Sequence, residues 1–108
     1  MRKLSAALVA ACLAGGALFA IPALAATKTV TVKDDVFSPK STSVSKGTTV
    51  KFVWRGRHPH NVVVKRGPVK FKSPLRTSGS YSKRLTRAGS YSIICQIHPG
   101  MQMTLRVR

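Results

Sequence analysis

The chain has 108 residues, with 19 Lys and Arg against two acidic residues, for a formal net charge of +17. That length excludes more than one small domain once a leader is removed. The charge predicts attraction to something acidic, such as a partner protein, an anionic lipid, a cell-wall polymer or nucleic acid, without saying which.

Residues 1–26 read as a secretory signal peptide. A positive start, "MRK", precedes a long run without charge, and Ala23 and Ala25 supply an A-x-A cleavage signal. Cleavage near Ala25 or Ala26 fits the polar sequence that follows better than an uncleaved anchor or lipid attachment at Cys12 does. The protein is therefore expected outside the cytoplasm (periplasmic, cell-surface or secreted), where disulfides can form. Cys12 leaves with the leader, so residues 27–108 keep only Cys95 and no intramolecular disulfide is expected. They also keep 17 Lys and Arg against Asp34 and Asp35, a net charge of +15.

The rest of the chain reads as strand after strand. "KTVTVK" alternates Val30 and Val32 with polar residues, and "TTVKFVW" puts Val50, Phe52 and Trp54 on one face. "HNVVVK", "YSKRLT", "GSYSIIC" and "MQMTLRVR" follow, each short, rich in β-branched or aromatic residues and bounded by Gly, Pro or Ser. Residues 65–79 are the least regular part, a basic connection with two prolines. No ten-residue stretch has helical periodicity. Seven or so short strands with turn signals between them indicate a single all-β domain, a sandwich or a barrel.

"CQIHPGM", from Cys95 to Met101, carries the chemistry. A trigonal set of two imidazoles and one thiolate with a weak axial thioether is the blue-copper arrangement. Thiolate and thioether sulfur favour Cu(I) and imidazole also suits Cu(II), so a fixed compromise geometry lets the ion change charge with little rearrangement. Cys95 ends one strand, Pro99 and Gly100 turn the chain, and Met101 opens the next. That turn brings Cys95, His98 and Met101 toward one point. A second imidazole must come from "GRHPHNVVV", as His58 or His60.

With these residues in view, the chain resembles a cupredoxin, a small type 1 blue copper protein of the plastocyanin and amicyanin kind. "FSPKSTSVSKGTTVKFVW", "PHNVVV" and "AGSYSIICQIHPGM" leading into "TLRVR" carry the likeness, which covers nearly all of the chain after the leader. The resemblance implies an all-β Greek-key sandwich of about seven to eight strands, with His60, Cys95, His98 and Met101 as ligands of one copper ion. It implies Asn61 as the residue that helps hold the two ligand loops together, and His98, beside Pro99, as the exposed port for electrons. Departures from the family lie around the site: Phe52, Trp54, Ile93, Gln96 and Met103 stand where the family often has other residues.

Blander readings compete. Cys95 alone is a candidate buried thiol, and Met101 shares a strand face with Met103, Leu105 and Val107, so it is also a candidate core residue. His58 fits an exposed loop position or, with His60, Cys95 and His98, a zinc site. A catalytic Cys–His pair lacks the oriented base and oxyanion donors it needs. The function expected is single-electron transfer by Cu(I)/Cu(II) cycling, not enzymatic turnover. Capture or delivery of copper without redox turnover, and a secreted polycation for anionic surfaces, are the alternatives. Arg57 and its basic neighbours are expected to steer an acidic redox partner toward the port. Association with an anionic membrane or wall remains open, no nucleic-acid partner is expected, and the chain is expected to be monomeric.

Overall fold

The computed structural model describes residues 26–108. The leader expected over residues 1–26 lies, except for Ala26, outside the described residues. Eight strands follow in chain order: β1 (Thr27–Lys33), β2 (Val36–Ser38), β3 (Ser41–Val44), β4 (Thr49–Trp54), β5 (Val63–Arg66), β6 (Ser80–Arg84), β7 (Gly89–Ile94) and β8 (Gln102–Val107). They form two four-stranded sheets, ordered β2-β1-β4-β6 and β3-β8-β7-β5. Among the described residues there is no helix, so the expected all-β sandwich is the fold.

Period-two alternation builds the interior. In β4, Val50, Phe52 and Trp54 point inward, and in β8 Met103, Leu105 and Val107 do so. These meet Val30 and Val32 of β1 and Tyr91 and Ile93 of β7 in one continuous core. Parallel pairing of β1 with β4, and of β3 with β8, ties distant parts of the chain together. Tyr91 has its ring in the core while its hydroxyl donates to the Arg87 carbonyl at 2.8 Å, closing the corner that leads into β7.

Two strands are absent from the sequence reading: β2 and β3, of three and four residues, drawn from the Ser-, Thr- and Pro-rich "VFSPKSTSV". Residues 65–79 are also more ordered than expected. Phe71 and Ser73 are buried, the Phe71 carbonyl accepts from Val64 N–H, and Ser73 N–H donates to the Val62 carbonyl. The return segment therefore runs antiparallel beside the chain entering β5, with bridges at His60–Arg76 and Val63–Lys72. "HNVVVK" consequently starts as a bridged approach, and the regular strand begins only at Val63.

The chain changes sheet at the β4–β5 link, and the β7–β8 link is a tight turn within one sheet. Val32 pairs with Trp54, so the β1–β2 turn lies at the same end of the sandwich as the β4–β5 link. Three loops thus meet at one end.

Candidate metal centre

The β4–β5 loop delivers His60. Its backbone N–H donates to the Arg76 carbonyl at 2.9 Å, and its own carbonyl accepts from Arg76 N–H at 3.0 Å. The same carbonyl accepts from the Trp54 indole Nε1–H at 3.0 Å. These three bonds fix the backbone of a side chain that is completely buried. Trp54 is thus more than the core aromatic the sequence suggests: its polar edge holds the ligand loop.

The β7–β8 turn delivers the other donors. Cys95 N–H donates to the Met101 carbonyl at 3.0 Å, and Met101 N–H to the His98 carbonyl at 3.1 Å. Gly100 closes the turn at φ +83°, a backbone conformation that side chains with a Cβ resist. Cys95 and Met101 are buried, while the His98 side chain keeps 24% of its surface open.

The two loops are laced together. Asn61 Nδ2 donates to Gln96 Oε1 and Gln96 N–H donates to Asn61 Oδ1, both at 2.9 Å. Gln96, which departs from the family pattern, therefore supplies half of the connection expected of Asn61.

His60 Nδ1 and His98 Nδ1 lie 3.1 Å apart, and Cys95 Sγ is 3.9 and 3.6 Å from them. Bonds of roughly 2.0 Å to nitrogen and 2.3 Å to sulfur require donors about 3.5 Å (N to N) and about 3.7 Å (N to S) apart at 120°, and about 3.1 Å (N to N) where that angle narrows to roughly 100°. The trio fits a first-row ion bound through both Nδ1 atoms and the thiolate. Met101, buried directly after the turn, stands next to this trio in the chain. His58 is exposed and its ring stacks beside His98 with centroids 6.0 Å apart. It stays out of the buried trio, whose second imidazole is that of His60.

Asp34 and Asp35, far from the ligands in sequence, stand at the same end. The Asp34 carboxylate accepts Arg57 N–H at 2.8 and 3.0 Å and His58 N–H at 2.8 Å. Those two N–H groups, Arg57 first, hold its pKa down to about 2. Gly56 is required here, because a Cβ would collide with that carboxylate. Asp35 sits at φ +65° and its carboxylate is 3.1 Å from His58 Nδ1, which raises the His58 pKa. The only sequence signal for this was position: two acids in a turn just after a strand whose partner leads to the histidines.

Arg57, Pro99 and Ile97 are exposed around this end, Ile97 at 46%. An apolar rim beside His98 is thus broader than Pro99 alone.

Comparison with known proteins agrees with this architecture. The family model described as copper binding proteins, plastocyanin/azurin family, matches residues 25–108. Plastocyanin from Prochlorothrix hollandica is 36% identical over 98 residues, covering 80% of this chain and 75% of that protein. A solved structure of a reduced amicyanin mutant superposes with a TM-score of 0.68 at 28% identity, over 76% of this chain and 82% of the other. A copper-containing nitrite reductase from Thermus scotoductus SA-01 also superposes at 0.68 with 31% identity, over 76% of this chain but only 22% of that one.

Proposed function

The chain belongs to the plastocyanin/azurin family of copper-binding proteins, and we propose that it carries single electrons between redox partners through one type 1 copper. The observation that carries this reading is the convergence of His60 Nδ1, His98 Nδ1 and Cys95 Sγ within 4.8 Å of one another. Bound copper would supply a Cu(I)/Cu(II) couple at that point. His60, Cys95, His98 and Met101 would hold the ion in this reading. The hydrogen bonds from Trp54, Arg76 and the Asn61–Gln96 pair support it, because they fix both loops before any metal arrives. A site held that firmly costs little to reorganise when the ion changes charge.

Carriage rather than enzymatic turnover suits the burial. His60 is fully buried and Cys95 is 4% exposed, so only the edge of His98 meets solvent and no open position is left for a substrate. That edge, with Ile97 and Pro99 around it, is the electron port of this reading. Arg55 and Arg57, exposed on the adjacent loop, would draw an acidic redox protein toward it. The relatives' kind of work, together with the leader expected over residues 1–26, supports a place outside the cytoplasm for a domain spanning 27–108.

The test is a copper titration of residues 27–108. One equivalent of Cu(II) should give an intense blue thiolate-to-copper band that bleaches with mild reductant and returns on oxidation. A colourless complex would refute the site. A blue complex that surrenders its copper to an acceptor at each cycle would favour delivery over carriage. Electron-transfer rates that ignore ionic strength would remove the steering role of Arg57.

A further inference from the structure

The two imidazoles present Nδ1 to the trio, which leaves each Nε2 facing outward. The outward atoms meet the only two acids in the described chain. His60 Nε2 is 3.4 Å from Asp34 Oδ1, and His98 Nε2 is 3.2 Å from Asp35 Oδ1. In a chain this basic, placing both carboxylates at one end, each against a different imidazole, is not what a solvated surface requires.

Neither carboxylate is free to drift. Asp34 is held by the Arg57 and His58 N–H groups, and Asp35 by the His58 ring. Asp35, His58 and His98 also cluster within 4.8 Å and so resemble a second metal site. His98 enters that cluster through Nε2, however, and an imidazole that ligates by Nδ1 keeps its proton on Nε2. A proton-bearing nitrogen facing a carboxylate is a donor, so the cluster reads as a hydrogen-bonding and charge-pairing set.

We infer that Asp34 and Asp35 are positioning residues for the copper site, holding His60 and His98 in the tautomer that presents Nδ1 and biasing the bound ion toward Cu(II). A carboxylate behind a ligating imidazole raises its basicity, and nearby negative charge favours the more highly charged ion. Both effects lower the reduction potential. The inference rests on the ligand set proposed above.

Asp35→Asn is the decisive variant. Position 35 has φ +65°, which Asn tolerates nearly as well as Asp, so the turn keeps its shape while the charge is lost. Asp34→Asn is the companion, with its loop bonds partly at risk. Outer carboxylate partners of metal-bound histidines are typically worth about 10-fold or more. Asp35→Asn should therefore weaken the preference for Cu(II) over Cu(I) on the order of tenfold, which for one electron is a rise of about 59 mV in potential. The second readout is NMR of the Cu(I) protein. The His60 Nε2 proton should be visible and slow to exchange, and should exchange faster in Asp34→Asn, whose uncharged amide oxygen is the weaker acceptor, with core amides unmoved.

A blue band intact in both variants, with the Cu(II) preference changed by less than about twofold, overturns the inference alone. A wild-type protein that gives no blue band overturns the ligand assignment, and the inference with it.

Discussion

Asn61→Ala is expected to be far more damaging than Gln96→Ala, although the two side chains face each other in one ring of hydrogen bonds. Asn61 takes part in both bonds, and its side chain is buried at 5% exposure. Truncating it removes two bonds, each worth about 0.5–1.5 kcal/mol net, and leaves the Gln96 N–H without its acceptor. The sum is about 2–3 kcal/mol. Truncating Gln96 removes only the bond at its own Oε1, opens an exposed position where water can accept from Asn61 Nδ2 instead, and keeps the backbone donor satisfied by Asn61 Oδ1. That loss is about 1 kcal/mol or less. For a domain of this size each kcal/mol moves the melting temperature by roughly 4–8 °C. Metal-free Asn61→Ala should then melt about 10–20 °C below wild type and Gln96→Ala no more than about 8 °C below it. Thermal unfolding followed by circular dichroism reads both. Equal losses in the two variants, or a loss below about 1 kcal/mol for Asn61→Ala, would show that the ring does not hold the ligand loops.

Trp54→Phe should cost about 1–3 kcal/mol in chemical denaturation, mostly for the space the smaller ring leaves in the core, because the His60 carbonyl keeps its second donor, Arg76 N–H. Two glycine variants separate crowding from backbone strain. Gly100→Ala meets no atom within 4 Å and should lose about 1 kcal/mol from its left-handed backbone alone, whereas Gly56→Ala must displace the Asp34 carboxylate and should lose clearly more. Calorimetry of the two proteins gives the order. The pKa of Asp34 is depressed to about 2, so its contribution to stability is complete above the ordinary carboxylate value of 3.8 and disappears as pH falls through about 2. Acid titration of the metal-free protein should show this loss, and Asp34→Asn should flatten it.

The site was legible in the sequence where its residues are close together. Cys95, His98 and Met101 lie within one turn, and Pro99 and Gly100 mark that turn without any tertiary information. The long strands were equally plain, since alternation in β1, β4 and β8 is a local property. β2 and β3 were not, because three and four residues cannot display a period, and their Ser and Thr content is that of a loop. The choice between His58 and His60 lay beyond the residues themselves, because Pro59 separates two chemically identical candidates; only family resemblance and then burial divided them. Asp34 and Asp35 lie far from Cys95 and His98 in sequence. Their approach to the histidines is a product of sheet pairing, Val32 beside Trp54, which no local pattern announces. Gln96 and Trp54 were noticed as departures from the family, but what their polar atoms touch depends on how two loops dock.

Cys95 and His60 are separated by 35 positions, on the turn between β7 and β8 and on the segment that passes from one sheet to the other. A metal ion joining them closes a loop as a disulfide would, and a bridge across that length is worth roughly 3–5 kcal/mol in the chain-entropy account. Cys95 is the free cysteine of the described chain, so copper takes the place that a covalent cross-link holds in small disulfide-bonded domains. Hydrogen bonds already hold both loops without the ion, so copper adds to a formed structure and the melting temperature should rise with copper content.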